Sequence, residues 1–260
     1  MEILDTIPIW AVYVGTVALV LIAAEFGFRI GIWLQARNPD WGDTRMTASV
    51  VAGLLGLMAF LMAFTIGIVI NQQSQRKAMV VEEANAIGTA WLRASFLDES
   101  DMSASRALLQ EYTEIRLEAA ADPTQLPSVV TRSEEIHGEL WAIVEKNVKQ
   151  GNESDIMRLV VESVNDVIDV HSLRIAAANL RLPRVLGILL LIATVLSFLL
   201  LGVASSADGK RDVASMVLFA LVLVAVLIII VDLNRPQEGL LTVSQTAMSD
   251  LLRQMTSAGQ

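Results

Sequence analysis

The 260-residue chain has no cysteine, two histidines, and only 18% Asp, Glu, Lys and Arg, against about 25% in ordinary globular domains. Without cysteine there is no disulfide framework, no thiolate zinc site and no cysteine nucleophile, and the redox compartment is left undecided. Bases are the scarcer charge, 19 against 28 acids for a net −9. Binding to a duplex needs clustered Lys and Arg to neutralise phosphates, so nucleic acid is excluded as a partner. What the chain has in quantity is apolar surface: 54% of residues are hydrophobic and the mean hydropathy is +0.55. That excludes disorder and is too apolar for a soluble domain.

Four runs contain no Asp, Glu, Lys or Arg: Thr6–Ala24, Thr47–Asn71, Val185–Ala207 and Val213–Val231. Each has 19 or more residues, and a bilayer core takes roughly 20 residues of helix. They are blocks of Leu, Val, Ile and Ala without two-residue alternation, which predicts membrane helices and not a barrel. The leader before the first run carries Glu2 and Asp5 and no base, unlike a secretory signal, so a retained span is expected. The predicted fold class is all-α. Transmembrane helices 1 and 2 fall at 6–34 and 47–71, and an acidic helical insertion domain at 72–183. Transmembrane helices 3 and 4 fall at 185–207 and 213–233, and a tail with a short amphipathic helix at 236–260. The insertion holds 18 acids against 11 bases, which accounts for most of the charge imbalance.

Helical periodicity runs through the insertion. Val80, Ala84, Ile87 and Trp91 share one face of a helix that continues the second span outward. Leu108, Tyr112, Ile115 and Ala119 mark a second helix, ended by Asp122-Pro123. Leu140 or Trp141, Val144 and Val148 mark a third, stopping at Gly151. Asn152 followed by Asp155 resembles a cap opening a fourth. The fourth helix would use Ile156, Val160, Val164, Val167, His171 and Ile175, and run on toward the third span with a kink at Pro183. Met248, Leu251, Leu252 and Met255 give the tail its stripe, placed on the insertion or on a neighbouring subunit. Bases near span ends on the insertion side are Arg76, Lys77, Arg174, Arg181, Arg184, Arg235 and Arg253. On the other side they are Arg29, Arg37, Arg45, Lys210 and Arg211. The excess leans the insertion to the cytoplasm.

Ser49, Gly53, Gly56, Phe60, Ala63 and Gly67 recur at steps of four and three on the second span. Two readings are open. Small residues let membrane helices pack closely, or the face lines a pore with an apolar constriction at Phe60 and at Phe64 one turn on. Glu25 and Arg29 lie four apart in the first span, either pairing along the helix or forming an intramembrane site. Gly27 and Gly31 beside them form a close-packing step. Glu162, Asp166 and Asp169 share a face of the fourth insertion helix, a solvated face or a site for calcium or another cation. Asp98-Glu99-Ser100-Asp101 lacks the spacing of a calcium loop and suits helix capping. Metalloprotease, nucleophile-elbow and P-loop motifs are absent, the spans contain no paired aspartates, and His171 sits on an apolar stripe as a hydrogen-bonded packing residue. An enzyme is not expected.

The stretch Glu83-Ala84-Asn85-Ala86-Ile87-Gly88-Thr89-Ala90-Trp91-Leu92-Arg93 resembles the E-A-N-A-I-G-T-A-x-L-R signature of a bacterial membrane family of unknown function, commonly called bestrophin-like. Arg76-Lys77, Phe64-Thr65, Asn165 with Arg174, and Asp232 to Gly239 also fit its pattern. The family form D-L-D-R-P-x-x-G has Asp where this chain has Asn234, which loses one carboxylate. The resemblance implies a homo-oligomer in the bacterial inner membrane, pentameric by analogy with bestrophins. It also implies an ion channel with the second span as pore lining and a cytoplasmic insertion. The insertion's own acid excess would make it an acidic vestibule, which attracts cations more naturally than the anions that bestrophins conduct, so the permeant ion stays open. The competing class is a non-conducting scaffold or sensor whose helical domain binds partner proteins or divalent cations. Glu83, Asn85, Arg93, Arg174, Asp232 and Arg235 are expected near the boundary of membrane and domain, where they could form one polar cluster.

Overall fold

The computed structural model describes residues 7–37, 44–152, 154–207, 213–235 and 241–258. Glu2, Asp5, Lys210, Arg211 and Pro236 to Gly239 lie outside the described residues. Regular structure among the described residues is all helical. The elements are α1 (Ile9–Arg37), α2 (Thr44–Arg93), α3 (Glu99–Ala121), α4 (Leu126–Lys149), α5 (Asp155–Asn179), α6 (Arg184–Ala207), α7 (Val213–Asn234) and α8 (Thr246–Ala258). Among the described residues four helices are long and apolar enough to cross a membrane, and the chain is a membrane protein. The described residues divide into two compact units, one within Met1–Asn71 and Arg181–Leu241, the other within Gln72–Leu180 and Thr242–Gln260.

In the membrane unit, α1 packs most closely on α6 and also touches α7. Its buried residues are Val20, Ala23, Ala24, Gly27, Phe28 and Gly31, a helical stripe dominated by small side chains. A Cβ at Gly27 would lie 1.9 Å from the Leu199 carbonyl oxygen, and one at Gly202 would lie 2.0 Å from that of Ala24. The glycines let the two backbones touch, since lipid supplies no hydrophobic drive and packing must hold the spans together. Val20, Phe198, Leu190, Val224 and Ile230 fill the apolar core, which α2 joins through Met58, Met62 and Val69. Asn234 closes one end of this unit. Its side-chain oxygen accepts the Leu182 N–H at 2.7 Å, and its carbonyl accepts from Arg181 at 3.2 Å.

The helical unit is built from the later turns of α2 with α3, α4, α5 and α8. Ile87, Leu109, Tyr112, Ile136, Leu140, Val160 and Val167 form its centre, with Met248 and Met255 of α8 seated in the same core. Four local expectations need correction. On α4 the buried partner is Leu140, while Trp141 and Val148 face outward. On α5, Met157 is buried where Ile156 was expected, and Ile156 is exposed. The α5 cap is Ser154, not Asn152, and its hydroxyl accepts the Met157 N–H at 3.1 Å. The hydroxyl of Ser154 is short enough to reach the free N–H groups of the first turn. Finally, α5 is not continuous with the helix of the third span. It ends at Asn179 with Leu180 extended (φ −62°, ψ 120°), because Pro183 lacks an N–H and disfavours helix in the residue before it. Gly151, after α4, takes φ +91°, a conformation only glycine adopts cheaply.

Candidate functional site

On the spanning part of α2, the glycines of the small-residue face meet no neighbouring helix among the described residues. Gly53, Gly56, Phe60, Ala63, Phe64 and Gly67 are all exposed, and a Cβ added at Gly53, Gly56 or Gly67 would meet nothing within 4 Å. The buried face of the same span is Val51, Met58, Met62, Thr65 and Val69. Close packing inside the membrane unit therefore uses the glycines of α1 and α6, where Gly27, Gly31 and Gly202 sit against neighbouring atoms, and leaves Gly53, Gly56 and Gly67 of α2 open. Glu25 and Arg29 pair along α1 at 2.8 Å, both partly exposed.

The helical unit holds a buried polar core that the motifs indicated only in part. Glu83 of α2 is fully buried. Its carboxylate accepts the Tyr112 hydroxyl of α3 at 2.6 Å, lies 3.3 Å from Arg116 Nε one turn further along α3, and pairs with Arg174 of α5. Tyr112 also meets His171 Nδ1 of α5 at 2.9 Å. Since the hydroxyl proton goes to Glu83, the Nδ1–H of His171 donates to the Tyr112 oxygen. His137 of α4 packs edge-on against His171, ring centroids 4.8 Å apart, and against Tyr112 at 5.1 Å. Arg174 makes a second bond, at 2.9 Å, to the side-chain oxygen of Gln245 just before α8.

Helical spacing assembles this core. Tyr112 and Arg116 are four apart on α3, and His171 and Arg174 three apart on α5, so each pair shares a face. The electrostatics follow from burial. Burial, with a smaller contribution from Arg116, pushes His137 down to about 4. Burial, Arg116 and His137 together push His171 down to about 3. Both imidazoles are neutral at neutral pH. Burial raises Tyr112 far above the usual phenol range, which keeps its proton for Glu83. It lowers Arg116, and Arg174 to about 10. Two guanidiniums share one carboxylate, so the core carries excess positive charge that only good geometry offsets.

Asn85 is exposed, and Arg93 donates to the Leu159 carbonyl of α5 at 2.8 Å. In the membrane unit, the Asp232 carboxylate accepts the Leu241 N–H at 3.1 Å, and Arg235 donates to the Ile7 carbonyl at 2.9 Å. Arg76 is buried and donates to the carbonyls of Ala177 and Leu180, satisfying the end of α5. Glu162, Asp166 and Asp169 are exposed, and Asp169 accepts from Asn165 at 2.8 Å. No group of three or more His, Asp or Glu among the described residues is placed to hold a metal ion. Asp101 does not cap α3; it is buried and bound by Lys146 at 2.6 Å and Asn147 at 2.7 Å.

A family model described as a bestrophin-like domain matches residues 14–248, most of the chain and both units. No curated protein and no solved structure matches the chain.

Proposed function

The chain belongs to the bestrophin-like family, and from that premise we propose that it assembles as a homo-oligomeric ion channel with α2 lining the pore. The observation that carries the reading is the α2 face, where Gly53, Gly56, Phe60, Ala63 and Gly67 are exposed and the glycines meet no neighbouring atom among the described residues. Packing copies of that face around an axis gives Gly53, Gly56, Ala63 and Gly67 as the wide parts of a pore. Phe60 and Phe64 form its apolar constriction, which gates by dewetting. The acid excess of residues 72–183 makes a vestibule that concentrates cations at its mouth. The base distribution supports a vestibule in the cytoplasm of a bacterial inner-membrane protein.

The test is flux through purified protein in liposomes, with potassium and chloride gradients read separately. The proposal expects flux that Phe60→Ala raises by removing the constriction. Flux absent in every salt overturns it, and a non-conducting scaffold becomes the better reading.

A further inference from the structure

A groove of about 320 Å³ opens on the membrane unit between α1, α6 and α7, within the range of about 300–1,000 Å³ typical of small-molecule sites. Its walls include Val12, Ile188, Leu191, Ile228 and Val231. Its two uncharged polar lining residues are already engaged. The Thr16 hydroxyl donates back to the Val12 carbonyl at 2.8 Å, and the Asn234 amide oxygen accepts from Leu182 at 2.7 Å. Among the described lining residues Arg184 alone is charged. It is exposed at the first turn of α6 and makes no hydrogen bond or ion pair with any described residue. The neighbouring Arg181 and Arg235 are spent differently, donating to the carbonyls of Asn234 and Ile7.

We propose that this groove binds one anionic phospholipid, its phosphate on Arg184 and one acyl chain along Ile188, Leu191 and Ile228. Depth argues for a lipid over a helix from another copy. From Arg184 to Leu191, and from Asn234 back to Leu227, the groove follows seven residues of helix, or about 10 Å. That stays within one leaflet of a hydrocarbon core of roughly 30 Å. A helix from another subunit would run the full thickness, and its apolar surface would leave Arg184 unpaired. A lipid supplies both halves at once, since its phosphate accepts from guanidinium in the paired geometry arginine favours while its chain fills the apolar slot. The groove belongs to one subunit, so this holds whether or not the protein conducts.

The full-length protein, purified in detergent, is incubated with phosphatidylglycerol or phosphatidylcholine of the same chains, and retained lipid is counted by native mass spectrometry. Phosphatidylglycerol is expected to be retained over phosphatidylcholine. Arg184→Gln should lose that preference by on the order of tenfold, the loss of one charged hydrogen-bonded contact, and Arg184→Lys should keep part of it. Ile188→Trp, which fills the slot from an exposed position, should lose both lipids. Arg158→Gln on the helical unit should change nothing. Inorganic phosphate alone should not raise thermal stability; if it does so as well as the lipid, the site is a free-anion site and the proposal fails. Equal retention of both lipids by the unaltered protein overturns it, as does an Arg184→Gln protein that holds phosphatidylglycerol unchanged. An Ile188→Trp protein that keeps its lipid but loses its oligomeric mass would assign the groove to a subunit contact and overturn it too.

Discussion

The Tyr112 hydroxyl donates to the Glu83 carboxylate at 2.6 Å inside the helical unit, and both residues are fully buried. This bond joins α2 to α3 and holds the acceptor that two arginines depend on. Tyr112→Phe removes the donor and leaves His171 Nδ1–H without its acceptor. The expected loss is about 1–3 kcal/mol, the cost of leaving buried polar groups unsatisfied, read by denaturant unfolding in detergent. A change under ~0.5 kcal/mol would mean the bond does not stabilise the fold.

Glu83→Gln should be worse than Tyr112→Phe. It leaves the Arg116 and Arg174 guanidiniums buried without a countercharge, for which about 3–5 kcal/mol is typical. Adding Arg174→Met to Glu83→Gln should recover part of that loss, because one unpaired charge goes with it. Additive losses in the double variant would count against a shared network.

Acid should weaken the helical unit well above the carboxylate range. His137 and His171 stand at about 4 and about 3 when folded, below the unperturbed value near 6.5. The unfolded chain therefore binds their protons first. The stability they lend is complete above pH ~6.5 and declines as pH falls toward 4, by at most about 1.4 kcal/mol per pH unit for each histidine. Replacing both by Gln should flatten the decline between pH 6.5 and 4.5 in thermal unfolding curves. An unchanged slope would place the acid sensitivity elsewhere.

Glycines of the two spanning faces should respond oppositely. Gly202→Ala drives a Cβ to 2.0 Å from the Ala24 carbonyl oxygen, and neither backbone can yield, so a loss of at least about 1–3 kcal/mol is expected. Gly56→Ala meets nothing within 4 Å, and the subunit should unfold as before while liposome flux changes. If Gly56→Ala unfolds the subunit, the exposed face of α2 has been misread.

The spans and their order were legible because a charge-free run of 19 residues or more has few alternatives to a bilayer. The close-packing step at Gly27 and Gly31 was legible from two small residues four apart, which let membrane helices approach. The polar core was legible only in part: Glu83 and Arg174 were grouped and do pair, but Tyr112, His137 and Arg116 are far from Glu83 in sequence and join it through tertiary packing alone. One signal was available: Arg116 and Arg174 lie on otherwise apolar helical faces, which marks charges destined for burial. Grouping Glu83 with Asn85 and Arg93 ignored helical phase. At about 100° per residue, Asn85 points roughly 200° away from Glu83, and it is exposed while Glu83 is buried. Pro183 was correctly flagged, but it interrupts the chain where a kink was expected.

The α1–α6 seam also sets an order in time. Gly27 and Gly202 lie 175 positions apart, and at about 5–20 residues per second roughly 10–35 s of synthesis separate them. Throughout that interval the backbone that the glycine face of the first span fits in the finished fold has not been made. The membrane unit is thus completed after translation has passed the third span, and a nascent chain stalled before Arg184 exposes the glycine face to whatever quality control patrols the bilayer.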